Sequence, residues 1–338
     1  MKICSNQINF TGSWSFKPPL DIISSDTGSF GNLFFDGKNL KYSKYLEGWG
    51  IGQSLITSRG YPGGAGTDTA ALAFGGCPGS YCTEEYNGSS WSSGGSMINC
   101  TELMGDAGTQ NAALSFGGYG NFSELNCNEE YNGTSWATGG ALSTSRKAAG
   151  GAGTQNAGLA GGGGTCFDTC NCTEEYNGTS WASGGSMNNC TKYHAMSGTQ
   201  NAALANGGYA SFAVNNCTEE YNGTSWSNGP GSTDSLTFRG GTGTTNNFMS
   251  VGGNNNDRDN QSSACSCVGA YNGTSWSSSP GILVAMGGQG MSKDSSTGGA
   301  SSGGVAFGSS PTGYGQCTLV LGAFSGSVTM PSNSFTAP

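Results

Sequence analysis

The sequence predicts an all-β chain, a single β-propeller of four-stranded blades, and three observations carry that prediction. Tryptophans at 91, 136, 181 and 226 stand 45 residues apart, and Trp276 follows 50 residues later. Each closes a copy of one phrase: Cys172 to Trp181 (Cys-Thr-Glu-Glu-Tyr-Asn-Gly-Thr-Ser-Trp) returns unchanged at Cys217 to Trp226. It returns with Asn128 for Thr from Cys127, with Ser89 for Thr from Cys82, and in weaker form from Cys267. Between the copies lies a second block, Gly-Thr-Gln-Asn-Ala-Ala-Leu followed by Gly-Gly, at 108–118 and 198–208. Four short strands in each repeat of this length select a propeller over a sandwich or a barrel.

The strands follow in order. Strand a ends in Gly-Thr-Gln, and Thr109-Gln110-Asn111 makes the a–b turn. Strand b is the short apolar run at 112–118, stopped by its glycines. Strand c runs from Cys172 to Tyr176 and turns at Asn-Gly onto strand d around Trp181. Asn-Gly between such strands predicts a type I′ turn, which needs φ > 0 at both central residues. No segment carries a helical period.

Counting b strands, from Asn32–Gly37 to 303–309, gives seven blades. On this reading residues 1–19, around Trp14, complete the last blade and close the ring. Residues 20–49 are a degenerate first blade, 50–276 the regular repeats, and 277–338 the last blade and tail. Six blades is the alternative, if residues 1–48 form a separate cap.

Composition excludes several functions. The net charge is −9 with only 12 Lys and Arg, in no basic run, so a phosphate backbone has nothing to follow and nucleic acid is not an expected partner. No apolar stretch reaches the roughly 20 residues of a membrane span, so no membrane insertion is expected. The first residues lack the apolar core of a secretory signal. Thirteen cysteines point to an oxidising final environment, and a virus particle released by lysis reconciles the two.

The Gly-Gly after strand b, the Tyr five residues before Trp and the c–d hairpin resemble the kelch repeat. Arg59 and Arg146, in Thr-Ser-Arg, match the arginine often found ahead of its strand a. The wording Glu-Glu-Tyr-Asn-Gly-Thr-Ser-Trp with Gly-Thr-Gln-Asn-Ala resembles kelch-like arrays in virion proteins of marine and cyanobacterial phages. That resemblance implies a virion structural or adhesion protein, a tail fibre or appendage subunit on the particle surface. Its partners would be host-surface glycan, other virion proteins or further copies of itself.

The residues argue against an enzyme. A copper oxidase on a kelch-like propeller needs two histidines, and the chain has one, His194. The glutamate pairs at 84–85, 129–130, 174–175 and 219–220 suggest glycosidase chemistry, but neighbours on a strand face opposite ways. Four equivalent copies fit a structural role, such as cross-strand bonding to Thr or Ser. The four arginines, 59, 146, 239 and 258, do not meet a sialidase pattern. Neither metal nor cofactor is expected. Cys82, Cys127, Cys172, Cys217, Cys267 and Cys317 share one repeat position and read as small buried hydrophobes of strand c. Cys77 with Cys82, and Cys166 with Cys170, are candidate loop disulfides; zinc is the rival reading, without paired Cys-x-x-Cys to support it. The Asn-x-Ser/Thr sites at the hairpin turns are explained by turn geometry.

Function falls to what does not repeat. The a–b and c–d turns are nearly constant, whereas the b–c loops vary in length and content and carry aromatic and small polar residues. Candidate binding residues there are Tyr81, Tyr119, Phe122, Phe167, Asp168, Tyr209, Phe212, Asp257, Arg258 and Tyr314. Aromatic faces with hydroxyl partners suit sugar rings. Mere tolerance of variation in surface loops is the competing reading, and an enzyme acting on polysaccharide the weakest.

Overall fold

The repeated phrase folds as a hairpin, but not around the turn expected of it. In the copy that begins at Cys82, Tyr86 pairs with Trp91, leaving a four-residue loop, Asn87 to Ser90. Only Gly88 has positive φ, at 88°. Asn87 instead turns its Oδ1 inward to accept from the backbone N–H groups of Ser89 and Ser90, at 3.0 and 2.9 Å. The same pair of bonds recurs at Asn132, Asn177, Asn222 and Asn272. Asparagine is there as an Asx cap, not for left-handed backbone, so a type I′ turn is replaced by a wider one.

The computed structural model describes residues 15–16, 33–35, 40–78, 80–165, 168–210, 213–255, 264–279, 281–283, 285–292, 304–308, 315–329 and 335–336, with side chains between 49 and 321. The chain forms two compact units. One comprises Met1–Glu47 and Ala323–Pro338. In it Ser15–Phe16 pairs with Phe335–Thr336, and Leu33–Phe35 with the start of the strand Leu40–Ile51.

The other, Gly48–Gly322, is a propeller of six blades, the smaller of the two numbers the sequence left open. Blade 1 is Gly63–Gly66, Ala71–Phe74, Thr83–Tyr86 and Trp91–Ser93, all antiparallel. Blade 2 begins with Gly105–Thr109 and Ala112–Phe116 and ends with Asn128–Tyr131 and Trp136–Thr138. Blades 3, 4 and 5 have their inner strands at Gly150–Thr154, Ala195–Thr199 and Gly240–Thr244. Their outer strands start at Trp181, Trp226 and Trp276. Blade 6 has Gly290–Met291, Gly304–Phe307 and the start of Thr318–Thr329, and its outer strand is the end of Leu40–Ile51, with Trp49 buried. An N-terminal strand thus closes the ring, at Trp49; Trp14 lies outside the described residues.

Each inner strand lies against the next, and Gly290–Met291 returns to Gly63–Gly66. Close approach dictates composition here. A Cβ on Gly151 would sit 2.2 Å from the Asp106 carbonyl oxygen, so glycine alone fits. The hydrophobic core is correspondingly divided into six clusters, one between each pair of adjacent blades. Phe74 of blade 1, for example, meets Trp136 of blade 2 with ring centroids 4.9 Å apart.

Repeated polar residues fasten blade to blade. The second glutamate of each pair accepts from the tyrosine hydroxyl of the next blade: Tyr131 to Glu85 and Tyr176 to Glu130, both at 2.5 Å. Indole N–H groups donate backward, Trp136 to Thr83 at 2.8 Å and Trp226 to Thr173 at 2.9 Å. Gln110, Gln155 and Gln200 each reach two carbonyls of the preceding blade, at 3.0 and 2.7 Å.

The first glutamate stays within its blade and is buried. Glu84 pairs with Arg59 and accepts the N–H groups of Ile56 and Thr57. Glu174 pairs with Arg146 at 2.8 Å. In blades 2 and 4 an asparagine replaces the arginine, Asn99 on Glu129 and Asn189 on Glu219, each at 2.9 Å. The expected cross-strand bonds to Thr or Ser give way to these because the connecting segment arrives with backbone N–H groups that need an acceptor.

Candidate functional site

Four-stranded blades place the a–b and c–d turns on one face of the disc and the b–c and d–a connections on the other. We call them the turn face and the loop face. Among the described residues, the exposed large hydrophobic side chains are Ile51, Ile56, Tyr81, Ile98, Phe122 and Leu283. All lie in b–c or d–a connections or, for Ile51, at the end of a strand running into one. The turn face has none of them.

Blades 2 and 4 extend their b–c loops as small hairpins, Tyr119–Gly120 with Ser123–Glu124 and Tyr209–Ala210 with Ala213–Val214. At the first tip Asn121 and Phe122 both have positive φ, 50° and 62°. The type I′ geometry expected of the c–d turns is found here, with phenylalanine at the position that favours glycine. Phe122 is 95% exposed. Beneath it the Tyr119 ring lies under the Lys147 ammonium, 4.2 Å from the centroid, and Glu124 approaches the same ammonium at 4.0 Å. The matching Lys192 stands 5.5 Å from the Tyr193 ring centre and 5.9 Å from that of Tyr209. Tyr81 is half exposed, and Asp168 is exposed with its Oδ1 accepting the Thr169 N–H at 2.8 Å. The structure therefore puts Tyr81, Tyr119, Phe122, Asp168 and Tyr209 on one face, spread over four blades, with Tyr119 and Phe122 together in blade 2. Phe167, Phe212, Asp257, Arg258 and Tyr314 lie outside the described residues.

At the centre of the loop face is a feature no motif announced. Tyr61, Leu103, Ala148, Tyr193 and Phe238 have φ between 54° and 61°, and Gly288 has 71°. Each stands two residues before an inner strand, and each N–H donates to the carbonyl of its counterpart one blade back. The six bonds, 2.7 to 3.3 Å long, close on themselves from Tyr61 to Gly288. Aromatic side chains fill the axis: Phe238 lies 4.1 Å from Tyr193 and 5.4 Å from Tyr61, centre to centre. A cavity of about 100 Å³ follows, lined in part by Asp106, His194, Arg239 and Gln289. Asp106 accepts the Gly64 N–H at 2.7 Å. Arg239 donates to the Ser250 carbonyl, and burial pulls its guanidinium down to about 10. His194 is buried one residue before an inner strand, where other blades place Pro62, Met104, Ala149, Arg239 or Gln289.

The cysteines at the shared repeat position precede strand c rather than lying in it. Cys82 and Cys217 are exposed and Cys127 and Cys317 half-buried, so the reading as core hydrophobes is corrected. The reason is that strand c begins at the following residue, whose side chain takes the buried place. Cys82 carries a free thiol, so no link to Cys77 is made. Cys170 is bonded to Cys172, a partner different from the Cys166 expected, and Cys166 lies outside the described residues. Cys265 and Cys267 are bonded likewise in blade 5. Among the described residues, no group of three or more His, Cys, Asp or Glu is placed to hold a metal.

These features define a six-bladed β-propeller with one polar, repetitive face and one variable, apolar face. No protein-family model matches the chain, and no curated protein matches its sequence.

Proposed function

We propose that this propeller is a non-enzymatic binding module whose loop face is its contact surface and whose ligand is a glycan of a host surface. What carries the reading is the segregation of exposed apolar side chains onto that face, because solvent-exposed aromatic and aliphatic groups gathered on one side mark interaction surfaces. Phe122 is its sharpest point: a phenylalanine held in left-handed backbone and almost wholly in water costs stability and returns no packing. Rings of this kind stack on the apolar faces of sugars, while Tyr119, Tyr209 and Asp168 supply polar partners. The glutamate pairs are engaged in structural bonds, the first of each buried within its blade and the second half-buried between blades, which supports a module without catalysis. The kelch-like wording of the repeats, similar to that of phage virion arrays, supports a place on a virus particle, as a fibre or appendage subunit.

A glycan array probed with the full chain tests this. Binding to host-surface polysaccharide that falls at least tenfold in Phe122→Ser and Tyr81→Ser, with an unchanged melting temperature, is the expected result. Binding unaffected by both substitutions would overturn it. Binding only to other particle proteins would favour a purely structural decoration role through the same face.

A further inference from the structure

Every cysteine among the described residues lies in a b–c or d–a connection, on the loop face; none is in a strand, an a–b turn or a c–d turn. Four are paired in two Cys-x-Cys loops, Cys170–Cys172 in blade 3 and Cys265–Cys267 in blade 5, with Cα atoms 5.3 and 5.2 Å apart. All four residues are half-buried, in connections of the loop face. Around them on the same face, Cys82, Cys190 and Cys217 are exposed free thiols.

The disulfides are not needed to build their blades. In blade 1 the equivalent pair is Ser80 and Cys82, where the Ser80 Oγ accepts the Cys82 N–H at 3.1 Å. In blades 3 and 5 a sulfur fills that place: Cys170 Sγ accepts from Cys172 N–H at 2.9 Å and Cys265 Sγ from Cys267 N–H at 3.0 Å. In blade 4 Asn215 does the same for Cys217 at 3.0 Å. A hydroxyl or an amide thus caps strand c as well as sulfur does. Nor does the bond constrain much chain: it spans two residues, and the unfolded-state entropy a disulfide removes grows with the loop it closes. A disulfide that is accessible and contributes little to folding is the labile, exchangeable kind.

We propose that the two Cys-x-Cys loops are thiol–disulfide exchange sites that take an external thiolate onto the loop face. The thiolate sulfur attacks Sγ of one member of the pair along the S–S axis. A new S–S bond forms to that cysteine, the old one breaks, and the other member leaves as a thiolate that takes a proton from water. Two electrons move with the bonds, so no oxidant or reductant is consumed. The displaced thiol stays two residues away and reverses the reaction, which makes the tether reversible. Two sources present this chemistry: a small thiol such as glutathione, and Cys82, Cys190 or Cys217 of a second copy. Cys127 is the poorer nucleophile, its thiol pushed up to about 11 by burial and then by Glu129.

The test incubates the native full chain with reduced glutathione, and separately alone at high concentration. Each sample is alkylated and mapped by mass spectrometry without reduction. The expected result is opening of the 170–172 and 265–267 loops while the protein stays folded. Glutathione adducts on these four cysteines identify a small-thiol source, and disulfide-linked dimers joining them to Cys82, Cys190 or Cys217 identify a second copy. The double variant Cys170→Ser/Cys265→Ser keeps the caps, so its melting temperature is unchanged and both products disappear. Loops that stay closed until the protein unfolds would overturn the proposal. So would adducts formed equally at the exposed cysteines of the double variant.

Discussion

The two faces of the disc are built from the same strands yet are chemically opposite. On the turn face, Gln155 reaches back to the carbonyls of Ala113 and Tyr131, and Asn132 caps its own turn. These groups make blade-to-blade or intra-turn bonds whose geometry is the same in each copy. The residues are therefore the same too. At the axis of the loop face the blade-to-blade bonds run through backbone, N–H to C=O from Tyr61 round to Gly288, and side-chain bonds such as Lys192 Nζ to the Thr165 carbonyl lie outside that ring. Because backbone makes the ring, the side chains attached to it are released from a structural role. They hold tyrosine, leucine, alanine, phenylalanine and glycine at one equivalent position. Variation collects where the main chain does the fastening.

Substitutions that break this contrast should scale with it. The largest effect is expected inside the blades, below either face. Glu174→Ala leaves Arg146 buried without its carboxylate and the Ser143 N–H without its acceptor. A loss of about 3–5 kcal/mol in denaturant unfolding is expected, as for one partner of a buried pair. Gln155→Ala, on the turn face, removes two bonds to blade 2 and should cost about 1–2 kcal/mol by the same measurement.

Alkaline titration probes the inter-blade tyrosines. Burial first, and then the carboxylate that each hydroxyl donates to, push Tyr131, Tyr176, Tyr221 and Tyr271 from 10 up to about 12. Each phenol holds its proton more tightly folded than unfolded. Its contribution is whole below about pH 10 and is lost as the pH climbs through about 12. Phenolate absorbance should thus show these four ionising late and together with unfolding. Early, independent ionisation would contradict the clamps.

Two smaller effects have the opposite sign. Where Asn128 replaces the usual Thr, the Trp181 indole N–H is left without an acceptor. Asn128→Thr should restore the bond seen at Trp136 and add about 0.5–1 kcal/mol. On the loop face, Phe122→Gly relieves left-handed backbone at the hairpin tip. It should leave stability unchanged or raise it by up to about 1 kcal/mol, while abolishing the proposed contact. A variant that gains stability and loses binding would separate the two faces most directly.

Much of this was legible in order. The 45-residue period, the strand identities and the c–d hairpin follow from Trp91, Trp136, Trp181 and Trp226 and the phrases before them. The loop face as the place of variation followed from the same comparison of copies. The axial ring was not legible, because a positive φ at Tyr61 or Tyr193 is imposed by neighbouring blades and leaves no mark on residue type. Nor were the cysteine partners, since a spacing of two, four or five residues states no Sγ distance. The sequence pointed to Trp14 as the end of the last blade, and Trp14 lies outside the described residues. Strand pairing chose Trp49, whose neighbour Gly52 donates to the Thr318 carbonyl at 2.8 Å.

By itself, then, the sequence determined the blade: a period, four strands, a c–d hairpin whose turn type only the structure showed, and glycines that let inner strands touch. These are local properties, set by residues within one repeat and repeated wherever the words repeat. Only the tertiary structure decided the closure, the number of blades and the partners of buried charge. Glu84 meets Arg59, while Glu129 meets Asn99, through pairings across 25 and 30 residues that no spacing in the chain encodes. A ring closes only when its last blade meets its first, and that is a contact between distant ends.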